Sequence, residues 1–170
     1  MGIEAVVKVG GSLSAHPRKL KSLCRLLARL SAEYRLILAP GGGTLADEVR
    51  RLDGVFKLKA EASHWMAILA TNQYGLLLAD LTPRAEAVES LSEALRLTAR
   101  GRPTIFLPYK LLRRENPFKP SWEAASDAIA AYLAWRLKAE RLILLKDVDG
   151  VYEPPYPGGK LLAKTTVERL

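Results

Sequence analysis

Ala5-Val6-Val7-Lys8-Val9-Gly10-Gly11-Ser12 is a short apolar run closed by two glycines. It reads as a buried strand that ends in a turn. Three more runs repeat the pattern: Arg35 to Ala39 closed by Pro40-Gly41-Gly42-Gly43, Thr104 to Leu107 cut off by Pro108, and Leu142 to Leu145 ending in Lys146-Asp147-Val148-Asp149-Gly150. Helical stretches separate them. Pro17 opens one with Leu20, Leu23, Leu27 and Leu30 on a single face. Thr44 to Leu52 and Glu61 to Leu78 read as two more, and Pro83 is expected to start another with Val88, Leu91 and Leu95 at helical spacing. Asp127 to Lys138 completes the set, with Ser126 as N-cap. A basic, proline-containing loop, Tyr109 to Ser121, is expected in between. Apolar strands alternating with helices imply an α/β fold, a parallel sheet covered on both faces. Ligands of such sheets bind at the carboxyl ends of the strands, where the glycines lie.

The 170 residues suit one domain, and 49% hydrophobic with 26% charged residues is a globular balance rather than a disordered one. Cys24 stands alone, so no internal disulfide forms, and one cysteine with two histidines cannot supply a typical structural zinc site. No apolar run reaches the ~18 residues of a membrane span, and the N-terminus enters a strand directly; a soluble, cytoplasmic protein is expected. A net charge of +8 attracts anions. Nucleic acid fits poorly, because the basic residues lack interleaved aromatic stacking partners. Side-chain amides are confined to Asn72, Gln73 and Asn116, a scarcity that suits a thermophilic source or a codon bias.

Each motif has a functional and an ordinary reading. Gly10-Gly11 lets the backbone approach a ligand and offers an anion nest, with Lys8 as a neighbouring charge; the same residues suit a plain tight turn. Gly41-Gly42-Gly43-Thr44 precedes a helix whose N-terminal amides suit phosphate. Two such loops on neighbouring strands would face a donor phosphate toward an acceptor phosphate. The P-loop pattern is absent. Gly41 to Ala46 matches the loose dinucleotide fingerprint, and Glu61 falls near the expected ribose-binding position, which keeps a nucleotide-dependent oxidoreductase as a minor alternative. Asp147 to Gly150 suits either ligand contact or a simple turn.

Together, Lys8-Val9-Gly10-Gly11-Ser12, Pro40-Gly41-Gly42-Gly43, Ser126-Asp127 and Asp147-Val148-Asp149-Gly150-Val151-Tyr152 occur in the order seen in the amino acid kinase superfamily, which the chain resembles over nearly its whole length. Ser63 to Ile68, Leu107 to Leu112 and Ser121-Trp122-Glu123 resemble the archaeal aspartokinase-related kinases of methanofuran biosynthesis, which phosphorylate an aminomethylfuran-methyl phosphate. The resemblance implies a three-layer αβα sandwich, with an acceptor half over about residues 1–120 and a nucleotide half over about 121–170. It implies ATP and magnesium, the metal held by phosphates and water rather than by a protein cluster, and a homodimer.

Residue by residue, Lys8 resembles the lysine that neutralises the transferred phosphoryl group, and Asp127 the aspartate that orients catalytic lysines. Gly10, Gly11 and Ser12 resemble the loop on the donor's terminal phosphates; Asp147, Gly150, Tyr152 and Lys160 fall where the family grips ATP. Lys146 replaces a Thr or Ser common there. Gly42 and Gly43 resemble the acceptor loop. His64, Arg113 and Arg114 are further expected substrate contacts, the arginines as a basic acceptor lid. Many members carry a second catalytic lysine beyond the segment where this sequence stops, and Thr165-Thr166-Val167-Glu168 has the form of a capping box. The expected activity is therefore ATP-dependent phosphoryl transfer to a small phosphorylated metabolite. The alternatives are a catalytically weak nucleotide binder of the same fold, or a superfamily kinase with an amino acid, UMP or isopentenyl phosphate acceptor.

Overall fold

The N-terminal apolar run forms β1 (Ala5–Val9), every residue of which is buried. In the computed structural model, which describes residues 2–122, 126–153 and 158–165, this strand is flanked on both sides. It pairs in parallel with β2 (Leu36–Pro40), placing Ala5 opposite Leu36 and Val9 opposite Pro40. On its other side lies β5 (Arg141–Leu145), with Val9 opposite Leu145. Two short strands, β3 (Glu86–Val88) and β4 (Thr104–Phe106), complete a parallel sheet of order β3-β4-β2-β1-β5.

Alternation along β1 assigns each side chain to a layer. Ala5, Val7 and Val9 enter a core with Leu20, Cys24 and Leu27 of α1 (Pro17–Glu33) and Tyr74 and Leu78 of α3 (Ala60–Leu81). Val6 points the opposite way, into a core with Ala94 and Leu97 of α4 (Leu91–Thr98) and Ala130 and Leu133 of α6 (Ser126–Leu137). The result is the expected αβα sandwich. Lys8 shares the parity of Val6, so the pleat carries its side chain toward α6. No helix among the described residues is long and apolar enough to cross a membrane.

Several elements differ from the sequence reading. Pro83 starts no helix: Arg84 follows with a left-handed φ of 61°, which ends α3's surroundings in a turn before β3. Val88 then belongs to a strand and Leu91 and Leu95 to α4, so the apparent periodicity spans a boundary. The expected loop after Pro108 begins as a helix, α5 (Tyr109–Glu115), because Leu111 and Leu112 bury against the sheet and α3. Asn116 ends it with φ 43°. Ser126 is the first residue of α6, and residues 123–125 before it lie outside the described ones. An unexpected hairpin, β6 (Val151–Tyr152) with β7 (Leu161–Leu162), follows β5. Of the capping-box motif, 166–168 lie outside the described residues.

Candidate active site

The two glycine loops meet at the carboxyl ends of β1 and β2. The ladder carries on into them: Gly10 N–H donates to the Leu145 carbonyl at 2.8 Å, and Gly41 N–H to that of Val9 at 2.9 Å. Gly11 then opens a 3-10 turn, Gly11–Ala15, while Gly43 starts α2 (Gly43–Phe56) with φ 55°. A Cβ on Gly11 would lie 2.0 Å from the Gly43 nitrogen, and one on Gly43 would lie 2.7 Å from the Gly11 carbonyl oxygen. Backbone touches backbone, so neither position admits a side chain. Tyr74 fixes this junction from below, its hydroxyl donating to the Gly10 carbonyl at 3.1 Å. Burial pushes the Tyr74 phenol up to about 12, which keeps the donor protonated.

Lys8 lies beside the junction, buried, with its Nζ 2.9 Å from Asp127 Oδ1. Lys146, one residue past β5, brings its Nζ to 2.5 Å from Asp127 Oδ2. One carboxylate at the start of α6 thus bridges ammonium groups from two adjacent strands. Burial alone raises the Asp127 pKa, but hydrogen bonds from Lys146 and Lys8 and their charges prevail and hold it below the ordinary carboxylate value. Across the β1 and β5 loops, the Ser12 hydroxyl donates to Asp147 Oδ1 at 2.8 Å. That bond, chiefly, lowers the Asp147 pKa.

A crevice of ≈ 490 Å³ opens over these groups and brings together Lys8, Gly11, Ser12, Gly42, Gly43, His64 and Asp147. Gly10 lies beneath it at the strand end, and Asp127 behind Lys8. The remaining residues singled out from the sequence lie elsewhere. Gly150, Tyr152 and Lys160 belong to the hairpin region; the Tyr152 hydroxyl donates to Asp149 at 3.3 Å, and the Lys160 carbonyl accepts from Glu153. Arg113 and Arg114 do not reach the crevice. Arg113 lies over the Trp65 ring at 4.6 Å and 3.7 Å from Glu61, whereas Arg114 pairs with Glu115 at 3.0 Å. Neither arginine lines the crevice, so the expected acceptor lid has no contact there in this structure. Glu61 sits in the first turn of α3 with no strand before it, so the dinucleotide fingerprint loses its ribose-binding acid.

The sequence reading missed part of the wall. Beside the expected His64, Ala67, Ile68 and Thr71 line the crevice, and their i+3, i+4, i+7 spacing from it is the helical signal that reveals a shared face. Asp47 and Arg50 of α2 and Trp122 also line it. Such an arrangement can attract an anion: glycine backbone without side chains, a helix N-terminus and a lysine converge on one crevice. Among the described residues no cluster of three or more His, Cys, Asp or Glu side chains could hold a metal ion by itself.

The chain is similar to several known proteins. The model of the amino acid kinase family matches residues 4–170. The chain is 31% identical over 157 residues to a [5-(aminomethyl)furan-3-yl]methyl phosphate kinase of Methanocaldococcus jannaschii, covering 92% of this chain and 71% of that protein. It is 29% identical to a uridylate kinase of Methanospirillum hungatei, covering 86% of this chain and 60% of that protein. Among solved structures it superposes on the uridylate kinase of Archaeoglobus fulgidus with a TM-score of 0.69 and 25% identity, covering 89% of this chain and 66% of that one. The chain spans between 60% and 71% of the length of these relatives. Matched over almost all of its residues and sharing the fold, the chain belongs to the amino acid kinase family.

Proposed function

We propose that the chain is an ATP-dependent phosphotransferase whose acceptor is a small phosphorylated metabolite, of which [5-(aminomethyl)furan-3-yl]methyl phosphate is the foremost example. The observation that carries this reading is the backbone contact between the Gly11 and Gly43 loops beside Lys8. It sets two anion-binding turns side by side, as transfer between two phosphate groups requires. An acceptor phosphate oxygen attacks the γ-phosphorus of ATP, a new P–O–P linkage forms, and the bond from the γ-phosphorus to the bridging oxygen breaks to leave ADP.

In this reading Lys8 neutralises the transferred group, while Gly10, Gly11 and Ser12 hold the donor phosphates and Gly42 and Gly43 the acceptor side. Asp127 positions Lys8 and Lys146 as a pair, and its low pKa keeps it ionised for that task. Such chemistry asks for positioning and charge neutralisation more than for proton transfer. Magnesium, carried by phosphate oxygens and water, supplies further neutralisation when bound. Asp147, Gly150, Tyr152 and Lys160 remain the proposed contacts to the rest of the nucleotide, and His64 to the acceptor. A homodimer belongs to the same proposal, supported by the exposed Leu69, Leu76 and Leu77 of α3.

The test supplies Mg-ATP with [5-(aminomethyl)furan-3-yl]methyl phosphate, UMP, isopentenyl phosphate or glutamate and follows ADP release and phosphorus resonances. Diphosphate formation from a phosphate ester, fastest with the furan compound, is expected. Tight ATP binding without ADP release on any acceptor would instead establish a nucleotide-binding role.

A further inference from the structure

Transfer between two phosphates gathers more negative charge than Lys8 and Lys146 can offset while both share Asp127. The arginines expected to help, Arg113 and Arg114, lie outside the crevice. Among the described residues that line it, Lys8 and Arg50 are the two lysines or arginines. Arg50 sits two turns into α2, the helix whose N-terminus carries Gly43. Helical side chains lean toward the N-terminus, and this one does: its Nη1 reaches Asp47 Oδ1, one turn back, at 2.6 Å. At 1.5 Å per residue the guanidinium therefore lies within about 6 Å along the axis of the helix start.

The guanidinium is also held in place. It stacks over the Trp122 ring at 4.9 Å, and the Trp122 indole N–H donates to Asp53 at 2.8 Å. Asp53 thereby holds the ring, and the ring supports the guanidinium. Trp122 reaches α2 from the segment between α5 and α6, so the stack also walls the crevice on that side. The Asp47 and Arg50 side chains are 66% and 59% exposed, and such exposed pairs are weak. A phosphate monoester, with more charge than a carboxylate and room for two parallel N–H···O bonds, displaces Asp47 readily.

Resting on the kinase reading above, we propose that Arg50, braced by Trp122 and Asp53, is the ligand for the acceptor's own phosphate and so selects phosphate esters over their alcohols. Arg50 is assigned to the acceptor rather than the nucleotide because it belongs to α2, the helix that the Gly43 loop opens.

The test measures binding by calorimetry with the whole chain and a non-hydrolysable ATP analogue. The probes are [5-(aminomethyl)furan-3-yl]methyl phosphate, UMP, and their dephosphorylated counterparts. Wild type should prefer at least one ester over its alcohol by roughly 100-fold or more. Arg50→Ala should lose at least tenfold of that preference, with affinities for the alcohol and the ATP analogue within about twofold of wild type. Arg50→Lys should recover part of it, and Trp122→Leu should weaken the ester alone. A wild-type chain without ester preference, or an Arg50→Ala variant that keeps it, overturns the assignment. Failure of wild type to bind the ATP analogue overturns the kinase reading itself, a distinct result. Arg50 is exposed on the helix surface, and matching melting temperatures show that the variants remain folded.

Discussion

β1 and β5 are neighbours of similar apolar composition, yet they live in different surroundings. β1 is paired on both edges and buried throughout. β5 is paired along one edge among the described residues, and Leu142, Ile143 and Leu144 are 38–41% exposed. Each delivers a lysine to Asp127. The one from β1 has a side chain 7% exposed, and the one that follows β5 is 40% exposed. The same carboxylate therefore meets a buried ammonium on one side and a solvated one on the other. Position in the sheet, more than residue type, decides how strongly a charge is held and how much its loss costs.

The sharpest way to break this comparison is at the β1 junction itself. Gly11→Ala puts a Cβ 2.0 Å from the Gly43 nitrogen and 2.3 Å from its Cα, both backbone atoms that cannot swing aside. The loops must separate, at an overpacking cost of about 1–3 kcal/mol or more. Because positioning is the main catalytic device, turnover should fall by roughly a thousandfold or more. Melting temperature and ADP release measured together check both parts. Near-normal turnover would show that the loop contact is dispensable and that the buried side of the site is not the rigid one.

The next largest effect separates the two lysines. Lys8→Ala removes a buried, preorganised charge and should cost about 3–4 kcal/mol of barrier, or roughly 10²–10³ in rate. Lys146 still pairs with Asp127, so the fold should persist. Lys146→Ala removes a solvated charge, and a loss of about tenfold is expected. Single-turnover rates at saturating ATP decide the order. Equal losses would mean that burial does not rank these residues, and a larger loss at Lys146 would invert the account.

Much of this contrast is legible in the sequence, though unevenly. The strands and glycine loops stand out because an apolar run followed by consecutive glycines combines two independent signals, burial and backbone freedom. Lys8 and Asp127 follow from motif order. β3 stays hidden, since Glu86-Ala87-Val88 is too short to show alternation and Val88 falls in phase with the helix after it. The local excess of basic residues points to Arg113 and Arg114, but charge carries no direction, and in the fold they pair with Glu61 and Glu115. Arg50 went unnoticed for the complementary reason. Its role depends on Trp122, a residue distant in the chain that only the fold brings alongside. Nor does apolarity alone reveal that β5 ends up half-exposed, because edge and centre strands are written in the same residues.

The smallest expected effect tests α6, which packs on both β1 and β5 and so joins the two regions. Its far end is anchored by Glu115, which accepts from Arg136 at 2.8 and 2.9 Å and from the Tyr132 hydroxyl. The Arg136 hydrogen bonds, chiefly, lower the Glu115 pKa from 4.5 to about 2. A carboxylate with a folded-state pKa below its unfolded value stabilises the protein above the unfolded value, and that contribution fades as pH falls through the folded one. Glu115→Gln should thus lower the melting temperature by about 1–3 °C near pH 7, and the gap should close as pH drops from about 4.5 toward about 2. Thermal melts across that range provide the measurement. A gap that persists unchanged at the acid end would mean that the anchor acts through shape rather than charge. In that case both lysines would owe their geometry to the packing of α6 alone.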